Sequence, residues 1–232
     1  SRAIRASGQV VLAHHFVPMP NTVDEMVPAL PYAPFLEAAA GTGHVAVAAD
    51  VDGVVRRFAM AFEAAGQDWP HISLVALRDA LGDPDFAGPS GSTPLVPMHA
   101  SGAFRTVSAA DVIAGTTPPD YFKGQIVLVG ATAQGLGDRY SVAEHAGRLM
   151  PDVEIQASLI SSLLQGETIQ PVSNTLAQVV LILVIAALFT AWWKLSPAAS
   201  LRATGIVILG LLAVSLILLV FAGFWLPVSG AI

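Results

Sequence analysis

The stretch QIVLVGATAQGLGDRY, residues 125–140, decides how the N-terminal part of this chain is read. It is a short apolar run that breaks into a glycine-rich loop holding an aspartate, the outline of many phosphate-binding loops. A P-loop requires G-x-x-x-x-G-K-[ST], because its lysine reaches the phosphates and its hydroxyl holds magnesium. Gly130 and Gly135 have that spacing, but Leu136 and Gly137 stand where the lysine and hydroxyl belong. A G-x-G-x-x-G fingerprint is also absent. The glycines therefore read as a tight turn leaving a buried strand, with Asp138 capping or bracing the loop.

Around this stretch the pattern alternates strands with helices. VVLA (10–13), VAVAAD (45–50), VRRFAMAF (55–62) and IVLVG (126–130) are short, β-branched or continuously apolar runs. ISLVALRDALG (72–82) and VEIQASLISSLLQG (153–166) have helical spacing. In the second, Ile155, Leu159 and Leu163 recur every four residues with Ile160 and Leu164 beside them, and Gly166 is placed to end the helix. Ser108 and Asp111 form a capping-box pattern before a brief helix that stops at Gly115. Continuous apolar strands imply burial on both faces, so the expectation is an α/β domain with a mixed or parallel sheet covered by helices. The opening residues, SRAIRASGQVVLAHH, lack the apolar core of a signal peptide and look like the end of a helix feeding a strand. The domain is accordingly expected to be N-terminally incomplete.

The composition divides the chain of 232 residues in two. Its hydrophobic content, 54%, is high, and its charged content, 12%, is about half the usual share. Residues 1–171 hold nine Lys and Arg against 17 Asp and Glu, a net charge of −8; from Thr168 onward only Lys194 and Arg202 are charged. An acidic head excludes nucleic acid as an expected partner, since that binding needs a basic surface. With no cysteine, disulfides and thiolate metal sites are excluded, and no cofactor is expected.

VSNTLAQVVLILVIAALFTAWW, residues 172–193, gives 22 positions without a charge, and about 20 suffice to cross the ~30 Å hydrocarbon core. Trp192 and Trp193 followed by Lys194 make an interfacial end. A second uncharged span occupies 203–226, and 227–232 would start a third. The connecting stretch KLSPAASLR, 194–202, carries two cations and no acid, which assigns it to the cytoplasmic side. The head then lies outside.

Within the head, Asp50, Asp52 and Gly53 resemble the start of a calcium loop, but Val54 and Ala61 occupy its fifth and twelfth positions, where an oxygen ligand and a glutamate belong. Asp-Gly between apolar strands is better read as a hairpin turn. Arg56 and Arg57 follow on alternating faces, so one should point inward and need a partner, which Asp50 or Asp138 would supply. His14 and His15 lie on opposite faces of their strand, and His44, His71, His99 and His145 have no metal-ligand spacing. No GxSxG elbow occurs, and paired acids such as Asp24–Glu25 read as solvated surface.

The ordered set GTGHVAVAADVDGVVRRFAM, WPHISLVALRDALG, VSAADVIAG, YFKGQIVLVGATAQGLGDRY and MPDVEIQASLISSLLQG resembles the type-2 CHASE sensory domain, an extracytoplasmic module of bacterial signalling receptors. The resemblance covers roughly residues 1–170. Asp50, Asp52, Gly53, Arg56 and Arg57 sit on its D-x-D-G-V-V-R-R pattern; Gly130, Gly135 and Asp138 sit on its G-A-T-A-x-G-x-x-D pattern; Glu154 sits on its P-G-V-E-I pattern. The chain departs from the family at Ser141-Val142, in place of Thr-Pro, and at Asp152, in place of a glycine. The resemblance implies a sensor at 1–171, a non-enzymatic chain, and an inner-membrane location with the sensor periplasmic or extracellular. It further implies partners consisting of the membrane, an unknown extracytoplasmic ligand or protein, and a second copy in a homodimer. The cytoplasmic output would be a diguanylate cyclase or phosphodiesterase, a histidine kinase, an adenylate cyclase or a Ser/Thr kinase, none of which is in this sequence. Two other classes stay open: a membrane-tethered hydrolase using Asp50, Asp52 and Asp138, and a structural interaction module.

Overall fold

The structure is a computed structural model that describes residues 1–20, 25–89, 93–133, 135–143, 149–172 and 174–225. Asp24, His145 and the expected start of a third span at 227–232 lie outside the described residues. The chain forms two units, Ser1–Thr168 and Ile169–Ile232.

The first unit runs α1 (Arg2–Ser7), β1 (Val11–Pro18), β2 (Met26–Ala29), α2 (Ala33–Leu36), β3 (Gly41–His44) and β4 (Val54–Val55). It continues through β5 (Ala61–Ala64), β6 (Gln67–Pro70), α3 (Ile72–Leu81) and α4 (Ala109–Ile113) to β7 (Arg139–Val142), β8 (Leu149–Pro151) and α5 (Asp152–Gln165). The sheets are mixed, as the apolar strand pattern predicts. In the order β2-β1-β3, β1 pairs antiparallel with β2 and parallel with β3. In the order β4-β7-β8, β4 and β7 are parallel and β7 and β8 antiparallel. β5 and β6 form a hairpin. Its turn puts Ala65 at φ 53 and Gly66 at φ 69, the handedness that matches strand twist. Ala65 is the one non-glycine at positive φ among the described residues.

Helices end where the sequence punctuates them. His71 caps α3, and Gly82 closes it in the left-handed conformation. Ser108 accepts from the Ala110 N–H to start α4, and Gly166 closes α5 at φ 68. Ile155, Leu159, Ile160 and Leu163 of α5 enter one core with Leu74 and Leu77 of α3 and with Val55, Phe58, Val142 and Met150. Leu164, expected on that stripe, is half exposed. Beside that apolar stripe, two buried serines of α5 hold the chain at 97–99: Ser162 donates to the Pro97 carbonyl at 3.1 Å, and Ser158 accepts from the His99 N–H at 3.4 Å.

Two expected strands differ. VAVAAD and IVLVG carry no β-ladder among the described residues. Val129 is 92% exposed, and only Leu128 of the IVLV run packs against the core. A continuous apolar run predicts burial on both faces, but the core covers just one. VRRFAMAF is likewise not a single strand. After β4 the chain leaves β7 for the 94–96 segment, with Phe58 N–H donating to Pro94 O and Val96 N–H to Arg56 O, before β5 begins.

In the second unit, β9 (Gln170–Pro171) precedes α6 (Asn174–Lys194) and α7 (Pro197–Ala222), and β9 pairs in parallel with β10 (Phe224–Trp225). The spans Thr175–Lys194 and Pro197–Phe221, of 20 and 25 residues, are long and apolar enough to cross a membrane. Trp192 Nε1 of α6 donates to Thr204 Oγ1 of α7 at 3.2 Å, tying the two into a hairpin. α7 begins at Pro197, so the stretch 194–202 holds only Leu195 and Ser196 outside helix. Proline suits the first helical position, where its missing N–H goes unused.

Gly41 and Gly43 let α3 lie directly on β3. A Cβ at Gly43 would stand 2.5 Å from Ile72 Cα and 2.7 Å from its nitrogen. Gly43→Ala is expected to lower stability by about 1–3 kcal/mol, read from the thermal midpoint. Ala65→Asn, which favours positive φ, is expected to raise it by about 0.5–1 kcal/mol.

Candidate functional site

The three motif clusters converge at one end of the β4-β7-β8 sheet. Val54 lies opposite Ser141 in the parallel register, and Arg139 lies opposite Pro151 in the antiparallel one. That register carries the turn before β4, the loop before β7 and the first turn of α5 to the same edge. The Asp152 N–H donates to the Asp138 carbonyl at 3.1 Å and fastens the last two together.

The turn before β4 is closed by its own backbone. Asp50 N–H donates to Val54 O at 3.0 Å, Gly53 N–H donates to Asp50 O at 2.8 Å, and Gly53 sits at φ 79. Asp52 Oδ1 also accepts the Val54 N–H at 3.0 Å. Arg56 grips Asp52 with both terminal nitrogens, at 2.9 and 2.8 Å, and reaches Asp50 Oδ2 at 3.3 Å. Arg57 Nε lies 3.7 Å from Asp50 Oδ1. Asp50 is thus the shared counter-ion of both arginines. The expectation that one arginine points inward is modified: their side chains are exposed to similar degrees, 36% and 31%, and Asp50 rather than Asp138 pairs with Arg57. A long guanidinium stem reaches the strand end from either face.

The Arg56 hydrogen bonds, followed by that of the Val54 N–H, hold the Asp52 carboxyl below its ordinary value, and Asp52 in turn raises Arg56. At the neighbouring loop the direction reverses. Burial pushes Asp152 up, the Asp138 charge adds to this, and the Gln156 hydrogen bond at 3.1 Å opposes it. Burial, with Asp138 and Asp152 nearby, also raises Tyr140.

Gly130 is required for close packing, since a Cβ there would stand 2.6 Å from Val153 Cβ at the start of α5. Gly135 and Gly137, at φ 81 and 75, turn the exposed loop that follows. The glycines of the 125–140 stretch therefore serve close packing and turning. Glu154 accepts from Ser101 Oγ at 3.1 Å. Asp152 is already helical as the first residue of α5, so the departure from glycine there needs no special backbone.

Sequence spacing does not reveal a row of buried histidines, His14, His44 and His71, brought side by side by strand register. His14 is buried and His15 exposed, as their alternation predicts. Residues 14, 44 and 71 share no sequence periodicity; the β1–β3 pairing unites His14 with His44, and a separate parallel bridge joins His44 to His71.

This arrangement is a mixed-sheet α/β head whose charged turn is locked by internal ion pairs, followed in the chain by two apolar spans long enough to cross a membrane. The family model described as the CHASE2 domain matches residues 1–192, and the chain belongs to that family. The match runs on through most of α6. No curated protein and no solved structure gives a match. CHASE2 is a non-catalytic sensory domain, which places the head of this chain in the periplasm and its two long helices in the inner membrane.

Asp50→Ala would strip Arg57 Nε, a buried nitrogen, of its ion partner. The expected loss is about 1–2 kcal/mol by denaturant titration, the low end because Arg57 is partly solvated. Arg56→Gln is expected to return the Asp52 carboxyl toward its ordinary value, followed by carboxyl 13C shifts. The sign follows from the lowered value. Whatever stability the Asp52 pair contributes is present above pH ~4 and is lost as pH falls through the folded value.

Proposed function

We propose that this chain is the signal-receiving and membrane-spanning part of a receptor that controls a cytoplasmic output domain. A diguanylate cyclase or phosphodiesterase, a histidine kinase, an adenylate cyclase or a Ser/Thr kinase would serve as that output. Binding of an extracytoplasmic ligand or protein shifts the α6–α7 hairpin between two arrangements, and it does so only as far as its affinity differs between them. The observation that carries this reading is the CHASE2 match running directly into a long apolar helix that a second one follows.

The hydrolase reading needs carboxylates available to take or give protons. Asp52 is instead held by both nitrogens of Arg56, and Asp50 is shared by Arg56 and Arg57. That bonding supports a packed turn of a sensor, with Asp50, Asp52, Gly53, Arg56, Arg57, Gly130, Gly135, Asp138 and Glu154 in structural roles. Pairing of two copies is part of the proposal. Gly205 and Gly210 of α7 have open space where a side chain would stand, and small residues let helices approach closely in lipid.

The absence of cysteine makes the topology directly testable. In intact cells, Thr116→Cys is expected to react with a membrane-impermeant maleimide, and Ser196→Cys to react only after lysis. Labelling of Ser196→Cys from outside would invert the receptor and remove the proposal.

A further inference from the structure

His44 and His71 fall within two of the resembling stretches, GTGHV and WPHIS, but none of the three histidines takes part in the ion-paired turn or the loops described above. His14 stands opposite His44 in the parallel β1–β3 register, and His44 is bridged in the same sense to His71. Their exposures are 2, 0 and 0%. Phe16, Phe62, Phe58 and Trp69 surround the rings, and His44 meets His71 edge to face at 4.8 Å. All three Nε2 atoms are buried with no hydrogen-bond partner among the described residues.

The Nδ1 partners fix where each proton sits. Thr42 Oγ1 gives its only proton to Leu12 O at 2.9 Å, so at the 3.0 Å contact with His14 Nδ1 the ring is the donor. His44 and His71 are the opposite tautomer. His44 Nδ1 accepts the Ala46 N–H at 3.2 Å, and His71 Nδ1 accepts the Ser73 N–H at 3.2 Å. A neutral ring that accepts at Nδ1 carries its proton on Nε2. A metal at Nε2 of His44 or His71 would displace that proton and demand an imidazolate, which leaves His14 as the one ring of the three with a free Nε2 lone pair. A second proton on His44 or His71 must land on Nδ1, where it meets a backbone N–H; at His71 it turns instead to Ser73 Oγ, 2.9 Å from Nδ1, and the bond from the Ser73 N–H is given up. Charging His71 therefore removes the cap of α3, and charging His44 frees the Ala46 backbone just beyond β3.

Among the described residues, none of the three rings has an ion-pair partner. His15 of β1 disfavours protonation of His14, His14 does so for His44, and His44 for His71. On the other packed elements, Glu63 of β5, Asp68 of β6 and Asp79 of α3 are solvent-exposed, and Arg78 of α3 donates to Phe86 O. β2 has no charged residue, and Arg56 and Arg57 are taken up by Asp50 and Asp52. Burial is the main cause that brings His44 to about 4 and His71 to about 3, from an ordinary 6.5.

We propose that His44 and His71 form an acid-operated latch, in which protonation at Nδ1 releases the N-terminus of α3 and the Ala46 backbone together and so loosens the α3 packing on α5. The inference rests on the receptor reading for its use, since it names protons as a signal, but the latch itself is testable without any output domain. Because the folded values are lowered, the stability contributed by the neutral rings is fully present above pH 6.5 and is lost as pH falls toward about 4 and about 3. An opened ring of ordinary pKa favours the open form about 30-fold at pH 5 relative to pH 7.5, and two rings about 1,000-fold.

The experiment is hydrogen exchange on the full 232-residue chain in lipid nanodiscs at pH 7.5 and 5.0, corrected for the intrinsic pH dependence of exchange. Amides 45–47 and 73–76 are expected to lose at least tenfold more protection at pH 5.0 than amides 159–163 of α5. His71→Asn supplies a capping oxygen that does not titrate, and it is expected to keep protection at pH 7.5 while removing most of the loss at 73–76 on acidification. Equal protection of the wild type at both pH values, or an unchanged pH effect in His71→Asn, would overturn the latch. If that variant does not fold, imidazole 15N shifts of the wild type decide. Protons on Nε2 of His44 and His71 at pH 7.5 are expected, and protons on Nδ1 would overturn it. None of these readouts depends on signalling, so failure of the receptor reading leaves them interpretable.

Discussion

The head depends on one close approach, the start of α3 against β3. A helix ordinarily sits on a sheet with two layers of side chains between them. Here a methyl group at Gly43 would overlap the backbone of Ile72, and one at Gly41 would stand 2.8 Å from Val75 Cγ1. Gly41 and Gly43 are two apart and share one face of β3, the face α3 covers; Thr42 and His44 share the other. From this contact follow the bridge between His44 and His71, the angle at which Leu74 and Leu77 enter the core, and the meeting of α3 with α5. Glycine is required there for space, which is a different demand from the positive φ that Gly53, Gly82 and Gly166 meet.

A second constraint is charge. The head carries a large excess of acid, and its motif carboxylates stand close together at a sheet edge, an arrangement that would raise their proton affinity if nothing opposed it. Arg56 opposes it at the turn, where Asp52 lies low. One loop away, with no guanidinium on it, Asp152 is raised by burial and by Asp138. Two aspartates of one edge thus titrate in opposite directions for identifiable reasons. The paired arginines are what convert an acidic cluster into a rigid turn.

Most helices and turns of the head were legible because their signals are local. The spacing of Ile155, Leu159 and Leu163, the glycine after each long helix and the Ser108 cap all act within a few residues. The need of an arginine for an acidic partner was likewise readable from adjacent positions, and so was the Asp-Gly turn, although it closes no hairpin: 45–50 form no strand and β4 pairs with β7. What was not legible depends on the neighbours of a strand. IVLVG reads as buried on both faces, yet Val129 meets solvent, because apolar composition does not state how many elements cover it. The histidine row was hidden for the same reason: His14, His44 and His71 are 30 and 27 residues apart, and a register of backbone pairs is what aligns them. The choice between Asp50 and Asp138 as the partner of Arg57 also required the fold.

The way α5 is held bears on how a change in the head can leave it. The buried face of the helix is locked into the apolar core through Ile155, Leu159 and Leu163, and Ser158 and Ser162 at the edge of that face tie it to the chain at 97–99. Its first turn is pinned to the β7 loop by the Asp152 N–H, and its end is closed by Gly166. A helix held along its buried face and at both ends resists fraying. The first apolar span begins at Thr175, nine residues beyond Gly166. The weak points of the head are accordingly the contacts made by single buried polar groups, where one proton or one hydrogen bond changes the balance. Those contacts lie on β3 and at the start of α3, the same close approach on which the packing of α5 depends.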